Sequence, residues 1–261
     1  MLTDDMAEES TRRSAHEIFQ KVEENAHDEL RRSSRALAFS GVAGGMGMGL
    51  TGLAVASVQY VLGQGPWQDF VALLFYPAGF IAIIIGRAQL FTENTLFPVA
   101  LILSERRHIA NTFRLWAVVF VSNIVGAMLF AFVTMKTGAL PYEFGIRLAA
   151  LGMRSVAGDG SHIFWSGVIG GWIIALMAWT VTASHWTIGQ IAVTWMLTAI
   201  VGLGHFAHCI ATSGEILSAV FTSQVSPGTY AHWLLFATLG NMLGGVTFVT
   251  LLNFGQVKAE D

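Results

Sequence analysis

Residues 86–95 read GRAQLFTENT and residues 204–215 read GHFAHCIATSGE, and each polar string interrupts an apolar run long enough to cross a bilayer. Backbone that leaves the helical ladder inside lipid costs several kcal/mol per unpaired group, so irregular segments survive there only when buried in protein or lining a wet cavity. Each string therefore predicts a broken helix beside a solute path.

The rest of the chain agrees with a membrane protein. Of its 261 residues, 54% are hydrophobic and only 12% charged, about half the charged fraction of an ordinary soluble domain. No charge falls between residues 36 and 68, 115 and 135, 160 and 214, or 216 and 257. Such gaps exceed the ~18 to 20 residues a helix needs to cross ~30 Å of hydrocarbon. Six apolar stretches follow, near residues 36–62, 70–104, 113–135, 162–182, 187–222 and 230–254. The second and fifth carry the interruptions, and the sixth reads as clean. The first is rich in small residues, SGVAGGMGMGLTGL at 40–53, which predicts close helix approach.

The expected fold class is therefore all-α integral membrane, with six transmembrane helices. Because the broken spans hold corresponding places in two halves of three helices, and three is odd, the halves read as an inverted repeat of the kind transporters use. Ten Lys and Arg lie at the N-terminus, at 104–114 and at Lys258, against three (Lys136, Arg147, Arg154) in the opposite loops. That balance predicts both termini on the cytoplasmic side of a bacterial-type inner membrane. Residues 1–35 form a polar cytoplasmic region, 36–254 the channel domain and 255–261 a cytoplasmic tail. Within the first, residues 8–35 predict an amphipathic helix with Ala15, Ile18, Phe19, Val22, Ala26 and Leu30 on one face. The polar start does not read as a signal peptide. A net charge of −3 gives no sign of nucleic acid, and no phosphate-cradling loop or metal-ligand spacing stands out, so no cofactor is expected.

In the first interruption Gly86 suits an unusual backbone angle, while Gln89, Thr92, Asn94 and Thr95 can satisfy freed groups. Arg87 needs a partner or water, since an arginine at mid-span costs ~2.5 to over 10 kcal/mol. Glu93 or Glu215 could pair with it, or it could face an anion. In the second interruption His205 and His208 are three apart, on one face if helical, and an imidazole suits proton exchange with a weak acid. Cys209 reads as a small hydrophobe.

LFT in the second span and FAHCIA in the fifth, with the six-span pattern and the glycine-rich first helix, resemble the formate/nitrite transporter family over residues 36–254. The full strings are most similar to a branch distinct from the formate and nitrite channels proper. The resemblance implies an aquaporin-like pentamer with one pore per protomer, which moves small monovalent anions of weak acids, with or without a proton. It places Leu90, Phe91 and Thr92 in the first-break loop, His208 at the pore centre with Thr92 near it, and Tyr76, Phe80 and Val201 at apolar narrowings. This sequence also departs from the family pattern. Where a lysine is expected before the fourth span it has VAGDGSHIF with Asp159; Ala175 and Thr212 stand at two expected asparagines; Arg87 and Glu93 replace small or polar residues. Expected partners are the anion or its acid, the bilayer and four further copies. The sequence leaves two other readings: a membrane enzyme or electron carrier with haem held by His162, His185, His205 or His208, and a non-conducting structural or regulatory member that works through its N-terminal helix.

Overall fold

Gly45 and Gly171 sit at close approaches of two helix pairs. A Cβ on Gly45 would lie 1.9 Å from the Asn123 carbonyl oxygen, and one on Gly171 would lie 2.2 Å from that of Asn241. In lipid, helix association rests on close packing and interhelical hydrogen bonds rather than on a hydrophobic drive, and glycine is what lets backbones touch. The computed structural model describes residues 13–260, all helical in their regular elements, with no strand among them.

Helix α1 (Ala15–Arg31) starts from a capping box in which the Ser14 hydroxyl accepts from the Glu17 amide and the Glu17 carboxylate accepts from the Ser14 amide. Ile18, Phe19, Val22, Ala26 and Leu30 are buried, so the apolar face expected from the sequence is spent on this chain itself. Residues 8–12 of the expected helix lie outside the described residues, as does Asp261 of the expected tail. Phe19 meets Trp179 and Phe254 at ring-centroid distances of 6.5 and 5.8 Å. A Ser14→Ala substitution removes one side of the cap and is expected to cost about 1 kcal/mol locally, read as faster amide exchange in the first turn of α1.

Helices α2 (Ser34–Met48) and α3 (Leu50–Leu62) follow in one line, with Gly49 between them. Next come α4 (Pro66–Leu73), α5 (Ala78–Gly86), a 3-10 turn at Glu93–Thr95, α6 (Phe97–Glu105) and α7 (Ile109–Lys136). The second half has α8 (Tyr142–Ser155), α9 (Gly160–Ala183), α10 (Thr187–Leu203), α11 (Ala211–Phe221) and α12 (Pro227–Gly245). The last stretch does not run as one clean helix: a π segment, Val246–Leu251, leads into α13 (Leu252–Glu260). The α2–α7 and α9–α12 pairs form the most extensive contacts, and α1 packs on α6, α9 and α13.

Among the described residues, five stretches are long and apolar enough to cross a membrane: Ser34–Leu62, Pro66–Gly86, Ile109–Lys136, Gly160–Ala183 and Pro227–Ala259. Thr187–Leu203 is apolar but shorter. Large apolar side chains such as Phe39, Phe113, Ile188 and Leu235 point outward and are more than half exposed, as a lipid-facing surface demands. Helix α8 was not foreseen in what read as a loop. Its Phe144, Leu148 and Gly152 are buried, and Gly152 lies against the Glu215 carbonyl.

Candidate functional site

The two interruptions are built by the same set of hydrogen bonds. Helix α5 ends at Arg87, held in the left-handed region at φ 53°, and α10 ends before His205 at φ 51°. In each case the next residue bonds back into the helix end, Ala88 N–H to Ile83 O and Phe206 N–H to Val201 O. The chain then runs out of helical register, and its amides would be orphaned in a span. Instead Gln89 N–H donates to Ser40 Oγ (3.1 Å) and Ala207 N–H to Ser166 Oγ (3.0 Å). Asn123 accepts from Phe91 N–H at Oδ1 (2.9 Å) and donates from Nδ2 to Gln89 O (2.9 Å) and Gly41 O (2.7 Å). Asn241 does the same for Cys209 N–H (2.9 Å), Ala207 O and Gly167 O (both 2.8 Å). Both asparagines are fully buried. By this pattern Arg87 corresponds to His205, and Leu90 to His208.

Ser166, Asn123 and Asn241 are not singled out by the sequence, and Ser40 stands out there only as a small residue of the first span. Each asparagine stands 34 residues beyond the break residue whose carbonyl it binds, a repeated spacing that shows only once the folded breaks are aligned.

His208 is fully buried in the non-helical stretch just ahead of α11. Its Nδ1 accepts from Ala211 N–H (3.0 Å), and its Nε2 lies 2.8 Å from Thr92 Oγ1. An amide hydrogen directed at Nδ1 needs a lone pair there, which assigns the ring hydrogen to Nε2 in the neutral ring; Nε2–H then donates to the Thr92 hydroxyl oxygen. Phe80 stands edge-on to the ring, at 5.1 Å between centroids and 89°. Leu90 and Phe91 are buried beside them, with Phe91 against Phe120 at 5.0 Å.

Two cavities approach this cluster from opposite sides. One, about 290 Å³, is lined by Tyr76, Val201, His205, Thr212, Glu215 and Arg154 among others. The other, about 560 Å³, lies beneath α1 and is lined by Lys21, Asp28, Ile83, Arg87, Gln89 and Glu93 among others. Phe80 sits one helical turn from Tyr76 on one side and near Ile83 on the other, and with Leu90, Phe91, Thr92 and His208 it belongs to neither cavity. These residues form the partition.

Several expectations change here. Arg87 is not at mid-span: it is exposed, in the cavity beneath α1, where water can solvate its charge. It shares that cavity with Glu93, while Glu215 faces the opposite one, and no ion pair joins Arg87 to either among the described residues. His205 and His208 do not share a helical face, because the chain is non-helical between them; His205 lines a cavity and His208 does not. Asp159 is the N-cap of α9, accepting from His162 N–H at 2.7 Å. Arg154, whose guanidinium is 3.9 Å from the Asp69 carboxylate, lines the cavity of about 290 Å³.

A sequence model of the formate/nitrite transporter family matches residues 16–255. The inner membrane protein YfdC of Escherichia coli is 30% identical over 246 residues, which cover 93% of this chain and 79% of that protein. A probable formate transporter of Methanothermobacter thermautotrophicus is 31% identical over 68% of this chain and 71% of its own length. Among solved structures, an FNT family ion channel superposes with a TM-score of 0.82 at 19% identity, covering 92% of this chain and 98% of that one. A pentameric formate channel with formate bound gives 0.71 at 17%, over 85% and 97%.

Proposed function

The chain belongs to the formate/nitrite transporter family, and on that premise we propose that it carries a small monovalent anion of a weak acid, or the acid itself, across a bacterial inner membrane. It is a transporter or channel rather than an enzyme. One observation carries the reading above the others: the His208–Thr92 pair, bonded at 2.8 Å, lies in the partition between two cavities where the two broken spans meet.

The six-span, aquaporin-like inverted repeat is part of the proposal, supported by the matched bonding of the two breaks. Thr187–Leu203 continued through Ala211–Phe221 supplies the sixth crossing. Both termini lie in the cytoplasm, as the Lys and Arg balance favours. The assembly is a homopentamer, in line with the pentameric channel among its structural neighbours.

The path runs from the Arg154–Glu215 cavity, past Tyr76, Val201 and Thr212, through the partition at Phe80, Leu90, Phe91, Thr92 and His208, to the Arg87–Glu93 cavity. A bare anion cannot enter the apolar partition without losing hydration at a cost of many kcal/mol. The ring fills the Thr92 oxygen, which leaves the hydroxyl hydrogen to donate to an anion at the partition. Proton coupling through His208 requires a second ring proton at Nδ1, which displaces the Ala211 N–H. The charge of an approaching anion favours that imidazolium, and the proton can then leave with the anion as neutral acid.

The purified protein in liposomes, given formate, nitrite, hydrosulfide, lactate and acetate at two pH values, is the test. Faster uptake of at least one of them at the lower pH is expected. Arg87→Ala is expected to slow anion entry roughly threefold at low ionic strength, with the difference shrinking as salt screens the charge. Flux no greater than in empty liposomes for every solute would instead favour the second reading, a non-conducting structural or regulatory member, which the closed partition supports.

A further inference from the structure

Outside the solute path, His27 on α1 and the Glu105–His108 turn between α6 and α7 converge at the edge of the molecule. His27 Nε2 is 2.7 Å from Glu105 Oε1, and His108 Nε2 is 2.9 Å from Glu105 Oε2. The two imidazoles stand edge-to-face at 5.6 Å between centroids. Their ligand atoms and the carboxylate all lie within 4.8 Å of one another. Side-chain exposures of 32%, 25% and 21% leave the group reachable from water but held in place. His108 adopts φ 73°, a left-handed conformation uncommon for a residue other than glycine, and that turn aims its ring at the carboxylate. Hydrogen bonds from Arg107, His108 and His27 hold the Glu105 carboxyl down to about 2, so it is ionised.

We propose that His27, Glu105 and His108 form a binding site for a divalent transition-metal cation such as Zn2+. Two imidazole nitrogens and one carboxylate oxygen, with a fourth position left to water, are a ligand set that zinc accepts. Borderline cations favour nitrogen donors, whereas Mg2+ and Ca2+ prefer all-oxygen shells. Tetrahedral zinc at ~2.1 Å from each donor places donors ~3.4 Å apart, so the present hydrogen bonds open slightly and the wider pair closes. Both rings then turn their Nε2 lone pairs to the metal and carry hydrogen at Nδ1. Arg107, whose side chain is 67% exposed, keeps the carboxylate oxygen the metal does not use, as an outer partner that orients the ligand. No spacing in the sequence exposes this group, because His27 lies 78 residues from Glu105.

The bound cation joins α1 to the α6–α7 turn, and the same helix forms one wall of the Arg87–Glu93 cavity through Lys21, Asn25 and Asp28. Metal occupancy therefore pins that wall.

Full-length protein carrying a tag without histidine, in detergent, is titrated with Zn2+ against a chromophoric chelator and, separately, with Co2+ read by its visible ligand-field bands. One saturable equivalent per chain is expected, with tetrahedral-type Co2+ bands and no competition from Mg2+ or Ca2+. His108→Ala and His27→Gln are expected to weaken it roughly tenfold or more, while His16→Ala, at an exposed site on α1, leaves it unchanged. Glutamine at 27 retains a donor to Glu105, so elution as the native assembly separates lost ligation from lost folding. Zn2+ is also expected to slow amide exchange across residues 15–31 in the parent and not in His108→Ala. Absence of a saturable equivalent, or binding unaltered in both ligand variants, overturns the site.

Discussion

His208→Ala is expected to lower weak-acid anion flux in liposomes by tenfold or more and to abolish its dependence on pH. The ring is fully buried and is bonded at both nitrogens, so alanine removes the donor to Thr92 and the acceptor of Ala211 N–H together. What remains in the partition is apolar, apart from a hydroxyl whose oxygen has lost its partner. His208→Gln separates two roles that alanine removes at once. Its amide can donate to Thr92 but takes up no proton in the accessible range, so flux is expected to recover in part with no slope against pH. Retention of the slope in His208→Gln would remove the ring from the proton route, and undiminished flux in His208→Ala would remove it from the solute route altogether.

The second large effect concerns the scaffold. Asn123→Leu keeps the branched outline and the number of heavy atoms, with bulkier methyl ends, but strips the partners from Phe91 N–H, Gln89 O and Gly41 O at a fully buried position. Each buried polar group left unmet costs ~1 to 3 kcal/mol, so a total of at least ~3 kcal/mol is expected. For a chain of this size that is a fall on the order of 10 °C in the melting midpoint, followed by size exclusion of heated samples. Asn241→Leu is expected to match it, because its three bonds are the same in kind. Ser40→Ala loses only the partly buried Gln89 N–H contact and serves as the scale, at about 1 kcal/mol. A midpoint for Asn123→Leu no lower than that of Ser40→Ala would mean that water, rather than this amide, satisfies the break.

Both interruptions were legible in the sequence, because polar strings inside charge-free apolar runs have few physical excuses. The apolar face of α1 was legible too, from spacing alone. The clamps were not: one asparagine in an apolar helix can face a neighbour, a cavity or its own turn, and only the fold brings Asn123 to residue 91 and Asn241 to residue 209. Helix α8 hid because a short amphipathic segment with Glu143, Arg147 and Arg154 resembles a polar loop. Arg87 was read as a mid-span charge because hydropathy measures distance along the chain and does not see a cavity opening beside a helix end. For the same reason Glu215 looked available to it, though the partition separates them.

Leu90 and His208 occupy equivalent places, and in both the backbone is fastened by amides and hydroxyls contributed from elsewhere. The Leu90 side chain holds up nothing in its own loop, and the His208 ring makes one backbone contact there, to Ala211 N–H. Evolution can therefore retool the chamber at these two sockets, changing what the lining offers a passing solute, while the chassis beneath it keeps its shape.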